Sequence, residues 1–102
     1  MDYSVQQTDD GILVKLSGRM TLVDHDKFRE VVDQLEKMKR DGVCVFDLSA
    51  LQFVDSSGLG MFLIARDVAM PKDVEIILKG AQDSVGRVLD IAKFGTLFTV
   101  QG

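Results

Sequence analysis

The chain has 102 residues, 46% of them hydrophobic and 27% charged, which suits one folded domain (1–102) with a modest core and excludes a disordered segment. Its 12 basic and 16 acidic side chains leave a net charge of −4, against direct nucleic-acid binding by counterion release and against docking on anionic lipid. The single Cys44 excludes an internal disulfide, no apolar run approaches the roughly 18 residues of a membrane span, and the polar opening MDYSVQQTDD is no signal peptide, so a cytoplasmic chain without membrane insertion is expected.

Residues 3–7 alternate, with Tyr3 and Val5 on one side, as in a half-buried strand. TDDG (8–11) ends in an Asp-Gly turn signal and ILVKL (12–16) reads as a second strand, so the chain opens with a hairpin. From Val23 to Arg40 the apolar residues Phe28, Val31, Val32, Leu35 and Met38 recur at helical spacing. Asp24 can cap this helix, with Val23 and Phe28 as a hydrophobic staple, or can share a capping box with Thr21; Gly42 closes it. VCVFDL (43–48) has the continuous apolar run of a strand covered on both faces, with Cys44 a buried thiol inside it.

A helix from Ser56 to about Met70 follows. Met61, Phe62, Ile64, Ala65, Val68 and Ala69 form its apolar stripe, and Leu59 and Leu63 fall outside it. Pro71 marks the next break. VEIIL (74–78) is a strand, residues 83–94 a helix closed by Gly95, and LFTV (97–100) a last short strand. Strand and helix alternate after the hairpin. The fold class is therefore α/β, with a mixed, mostly parallel sheet and helices packed against it. Sites in such sheets lie where strands pass into helices, and FVDSSGLGMF (53–62) is such a junction.

The chemistry of Asp55, Ser56 and Ser57 has several readings. A nucleophile elbow needs Gly-x-Ser-x-Gly, but Val54 holds the first glycine position, and the only candidate base, His25, opens the first helix. A phosphate loop needs a Gly-Lys-Ser/Thr run that is absent, although a helix start can still hold an anion through its free N–H groups. One His and one Cys cannot build an ordinary zinc site, so no metal or cofactor is expected. The plainest reading makes Ser56 or Ser57 the helix N-cap. That leaves Gly58 and Gly60 unexplained, since each glycine inside a helix costs about 1 kcal/mol relative to alanine. Two in one turn suggest that something approaches the backbone closely. Leu59 and Leu63 are either covered by neighbouring elements or form an apolar patch beside a hydroxyl that can be modified.

VFDLSALQFVDSSGLGMFL (45–63) resembles the strand, turn and helix of STAS domains, and specifically the anti-sigma factor antagonists. ILVKLSGRM (12–20) is similar to that family's second strand, and RVLDIAKFGTLFTV (87–100) to its last helix and strand. The resemblance implies a non-enzymatic phospho-switch. A GHKL-type anti-sigma factor serine kinase would bind the unmodified protein and phosphorylate the serine after the aspartate, here Ser56, with Ser57 second in line. A PP2C-type phosphatase would reset it. The implied partner surface comprises Thr21, Asp24, Asp55, Ser56, Ser57, Gly58, Leu59, Gly60 and Leu63. Many family members carry an aspartate three residues after the glycine that follows the second strand; Thr21 stands there in this chain, and Asp24 is the nearest acid. The alternative is a free-standing STAS subunit of another complex, for lipid transport or stress signalling, in which Ser56 is only a helix cap.

Overall fold

A short turn signal and two alternating segments give the opening hairpin: β1 (Asp2–Thr8) pairs antiparallel with β2 (Gly11–Met20) across Asp9 and Asp10. This is seen in a computed structural model that describes residues 1–102. α1 (His25–Glu36), β3 (Val43–Val54), α2 (Ser56–Ala69), β4 (Glu75–Lys79), α3 (Asp83–Ile91) and β5 (Thr99–Gln101) follow in chain order. The sheet order is β1-β2-β3-β4-β5, and every pair after the hairpin is parallel.

That order has a geometric consequence. A strand–helix–parallel-strand crossover is right-handed. Three of them, each stepping the same way across the sheet, put α1, α2 and α3 on one face. Ile12, Val14 and Leu16 of β2, Cys44, Phe46 and Leu48 of β3, and Ile76 and Leu78 of β4 point into that layer and are buried. The opposite positions, Leu13, Val43, Val45 and Ile77, are only half-buried and do not belong to the core. The expectation that β3 is covered on both faces is therefore wrong. Its apolar run mixes core positions with an open face that is itself aliphatic.

The helices end earlier than their periodicity suggests. α1 stops at Glu36 rather than near Gly42, leaving Met38 half-buried beyond its end. α3 stops at Ile91, and the chain turns at Lys93, which takes the left-handed φ of 59°, rather than at Gly95. β3 runs past Leu48 to Val54, with pairing irregularities opposite Ser17 and Arg19 that let it curve toward α2.

The core is organised by aromatic rings. Phe46 of β3 lies 6.0 Å from Phe28 of α1 and 5.5 Å from Phe62 of α2, and Phe28 and Phe62 meet edge to face at 5.9 Å. Phe94 extends the contact from Phe62 at 6.5 Å. Such ring pairs add to the burial of area. Burial pushes the Cys44 thiol up to about 12, so it stays protonated and serves as packing. No helix is long and apolar enough to cross a membrane. Phe46→Ala is expected to destabilise the fold by about 3–5 kcal/mol in urea unfolding, because three elements lose one shared ring.

Candidate functional site

The site is assembled where β2 and β3 end and α2 begins. Met20 accepts the Asp55 N–H through its carbonyl at 3.2 Å, which ties the two strand ends together. Asp55 is extended, with φ −99° and ψ −174°, and its carboxylate accepts the Gly58 N–H at 2.9 Å. Asp55 is therefore the N-cap of α2. Ser56 and Ser57 occupy the first two helical positions, and neither is the cap that the plainer sequence reading assigned to them. Ser56 is exposed and Ser57 half-buried. By helix geometry their N–H groups lack intrahelical acceptors and add to the positive end of the dipole.

The two glycines of this turn have different duties. A Cβ on Gly58 would come within 2.5 Å of Val54 Cγ2 and 2.9 Å of the Met20 carbonyl oxygen. Gly58 lets the helix start press onto its own strands, not onto a partner. A Cβ on Gly60 would meet nothing within 4 Å, so that side of the turn is open. Leu59 is half-buried and packs against the core, whereas Leu63 is 38% exposed and Ile64, expected in the apolar stripe, is 43% exposed. The stripe is thus narrower than its spacing suggests: Met61, Phe62, Ala65 and Ala69 are buried, and Val68 only half so.

The loop from β2 to α1 flanks this turn. Asp24 does not cap α1, and Val23, 89% exposed, does not staple onto Phe28. Asp24 is buried instead. Its carboxylate accepts from the Met1 amino group at 3.0 Å and from the Thr21 N–H at 2.8 Å. The carboxylate is thereby occupied from within, so Asp24 cannot replace at the surface the acid that Thr21 lacks. Thr21 is half-buried, and with Asp24 it forms the capping box expected from the sequence, placed at the short 3-10 turn Leu22–Asp24 that precedes α1. Burial pushes the Asp24 carboxyl up, but the Thr21 N–H, the Met1 ammonium and Lys27 together outweigh it and hold the pKa below the ordinary 3.8.

Exposed Leu22 and Val23 and the lip residue Ile64 were missed by sequence reasoning. The available signal was the adjacent aliphatic pair Leu22 and Val23 ahead of α1, of which the spacing assigns Val23 to a staple with Phe28. A groove of about 320 Å³ between α1 and α2 is lined by His25, Phe28, Arg29, Val32, Met61, Ile64 and Val68, among others. His25 lines that groove, and its Nδ1 lies 4.0 Å from Asp26 Oδ1 of its own helix. On the far side of β3 the Arg19 guanidinium sits 4.1 Å from the centre of the Phe53 ring, two residues before Asp55.

Known proteins are similar along nearly the whole chain. The model of the STAS domain family matches residues 2–101. A STAS-domain containing protein of Pseudomonas aeruginosa is 30% identical over 89 residues, spanning 87% of this chain and 86% of that protein. The anti-sigma-B factor antagonist of Staphylococcus aureus is 28% identical over 89 residues, spanning 85% and 80%. The Bacillus cell fate determinant SpoIIAA in its phosphorylated form superimposes with a TM-score of 0.72 at 16% identity, covering 97% of this chain and 90% of that one, a likeness of fold alone.

Two outcomes follow from the cap and the buried acid. Asp55→Ala should cost about 0.5–2 kcal/mol in urea unfolding while Ser56→Ala stays within about 0.5 kcal/mol of wild type. A carboxyl with a depressed folded pKa stabilises above its unfolded value and loses that contribution as pH falls through the folded one. The stability that Asp24 supplies should therefore be present above 3.8 and lost below it. Asp24→Asn should be less stable at neutral pH and show a shallower acid decline, read from unfolding midpoints at about pH 7, 4 and 3.

Proposed function

Because this chain belongs to the STAS-domain family, we propose that it is a partner-switching protein of the anti-sigma factor antagonist kind, switched by phosphorylation of Ser56. The observation that carries the reading is the division of labour at the start of α2. Asp55 does the capping, so the exposed Ser56 hydroxyl has no structural duty and is free to be modified. A phosphate there adds about −1.5 to −2 charges at pH 7. At a helix start this charge meets the positive dipole end, so the fold tolerates it. A complex that buries Ser56 does not, because the added charge must be desolvated.

The docking surface of the reading comprises Ser56, Ser57, Gly60, Leu63 and the neighbouring Leu22, Val23 and Ile64, with Thr21 at its edge. Asp55, Gly58 and Leu59 support it from within. Arrays of exposed aliphatics around a polar centre suit a protein partner. The partner in this reading is a GHKL-type anti-sigma factor serine kinase, bound while Ser56 is unmodified and released afterwards, with a PP2C-type phosphatase reversing the step. The chain acts in the cytoplasm as a binding module and kinase substrate, through one domain over residues 1–102. Transcription is regulated indirectly, through the sigma factor that the captured kinase lets go. The alternative is a free-standing STAS subunit of another complex, for lipid transport or stress signalling; the Asp55 cap speaks against the capping role it gives Ser56 and not against such a complex.

The test uses the kinase recovered by pull-down from the native lysate. After incubation with ATP, mass spectrometry should find one phosphate on Ser56 and none on the Ser56→Ala variant. Ser56→Asp should keep the wild-type circular-dichroism spectrum and bind the kinase about tenfold or more weakly. Unphosphorylated Ser56, with binding indifferent to ATP in both proteins, would overturn the reading.

A further inference from the structure

The face of the sheet that carries no helix has a defined pattern. By register, Leu13, Val45 and Ile77 line up across β2, β3 and β4, with Gln6 and Thr99 at the ends of the row. One step toward the strand starts lie Gly11, Val43 and Glu75. One step toward the strand ends lie Lys15, Asp47 and Lys79. The four aliphatics are half-buried and pack against no core residue. The strand-end row is net positive. The start side is acidic, with Glu75 on the sheet and Asp9 and Asp10 in the hairpin turn beside Gly11. Asp47 keeps its charge between the two lysines while its Oδ1 accepts from the Ser49 N–H at 3.0 Å and the Ser49 hydroxyl at 2.7 Å, so it offsets one of them and leaves the row positive by a single charge. Glu75 likewise stays charged while accepting the Thr99 hydroxyl at 2.9 Å.

We infer that this face binds a second copy of the chain. The two charged rows make it self-complementary. A two-fold axis along the Leu13–Val45–Ile77 row lays each strand antiparallel over its own copy. Ile77 then meets Ile77, and Lys79 of one copy lies over Glu75 of the other, twice. Lys15 lies over the second copy's Gly11, next to its Asp10. Facing sheets pack about 10 Å apart, a gap that a lysine and a glutamate span together. An isologous contact of this kind is the commonest route to a dimer. Any other protein would need its own match to an aliphatic row flanked by opposite charges, whereas a second copy supplies one by symmetry.

The size sets the strength. Five strands at about 4.8 Å and five residues at about 3.3 Å give a platform of roughly 24 by 16 Å. That is well under the roughly 800 Å² per partner of a stable complex, so the dimer is weak and concentration-dependent. The axis leaves Arg19, Phe53 and the start of α2 uncovered, so pairing through this face and docking at Ser56 do not compete.

Sedimentation velocity from about 10 μM to 1 mM tests it, with half the chain dimeric near roughly 100 μM. Val45→Glu should be monomeric throughout. Lys79→Glu and Glu75→Lys should each weaken pairing about three- to tenfold, and the double exchange should restore it. The charge pair decides the matter even if Val45→Glu disturbs the fold. A wild-type chain that stays monomeric to 1 mM, or a double exchange no better than either single change, overturns the proposal; the first result leaves the face to some other protein.

Discussion

The direction in which the chain crosses its own sheet governs everything else. Each right-handed crossover steps from β2 to β3 to β4 to β5 without turning back, so all three helices share one face. One face must therefore hold the whole core, and it does so around Phe28, Phe46 and Phe62. The same rule leaves the other face bare and brings the start of α2 over the ends of β2 and β3. The site and the open face are thus two consequences of one topological constraint.

Within that frame the Asp55–Ser56–Ser57 sequence separates two jobs that a single serine would otherwise combine. A capping hydroxyl is an acceptor tied to a backbone N–H, and attaching a phosphate to it would disturb the helix it starts. A capping aspartate leaves the next side chain free. Gly58 completes the arrangement by letting the first turn sit against Val54 and Met20. The helix start is consequently held from inside, by Asp55 and by backbone contact, while its outer surface carries only groups that can change partners. Asp24 works in the same way one loop over, where its carboxylate is spent on Thr21 and Met1 and fixes the loop rather than greeting a partner.

Much of this was legible in the residues. The hairpin, the order of strands and helices and the junction at 53–60 follow from periodicity and turn chemistry. The STAS resemblance of residues 45–63 agrees with the family match over residues 2–101. What stayed hidden depends on tertiary contact. Whether Asp55 or Ser56 caps α2 turns on backbone geometry that both residue types allow. The inward turn of Asp24 needs Met1 and Thr21 to meet it in space. The apolar run 43–48 looks the same whether one or two faces are covered, because Val43 and Val45 are aliphatic on an open face. Gly58 and Gly60 read alike in sequence and differ only in what lies opposite them.

The central claim is that Ser56 can carry a phosphate while the structure beneath it stays unchanged. The most direct measurement is amide hydrogen exchange followed by NMR on the unmodified and the phosphorylated protein. The Gly58 amide, bonded to Asp55, is the reporter. It should keep its protection after phosphorylation, with shift changes confined to the first turn of α2 and the neighbouring loop at Thr21–Asp24. Loss of Gly58 protection, accompanied by changes spreading to Phe46 and Phe62 in the core, would contradict it.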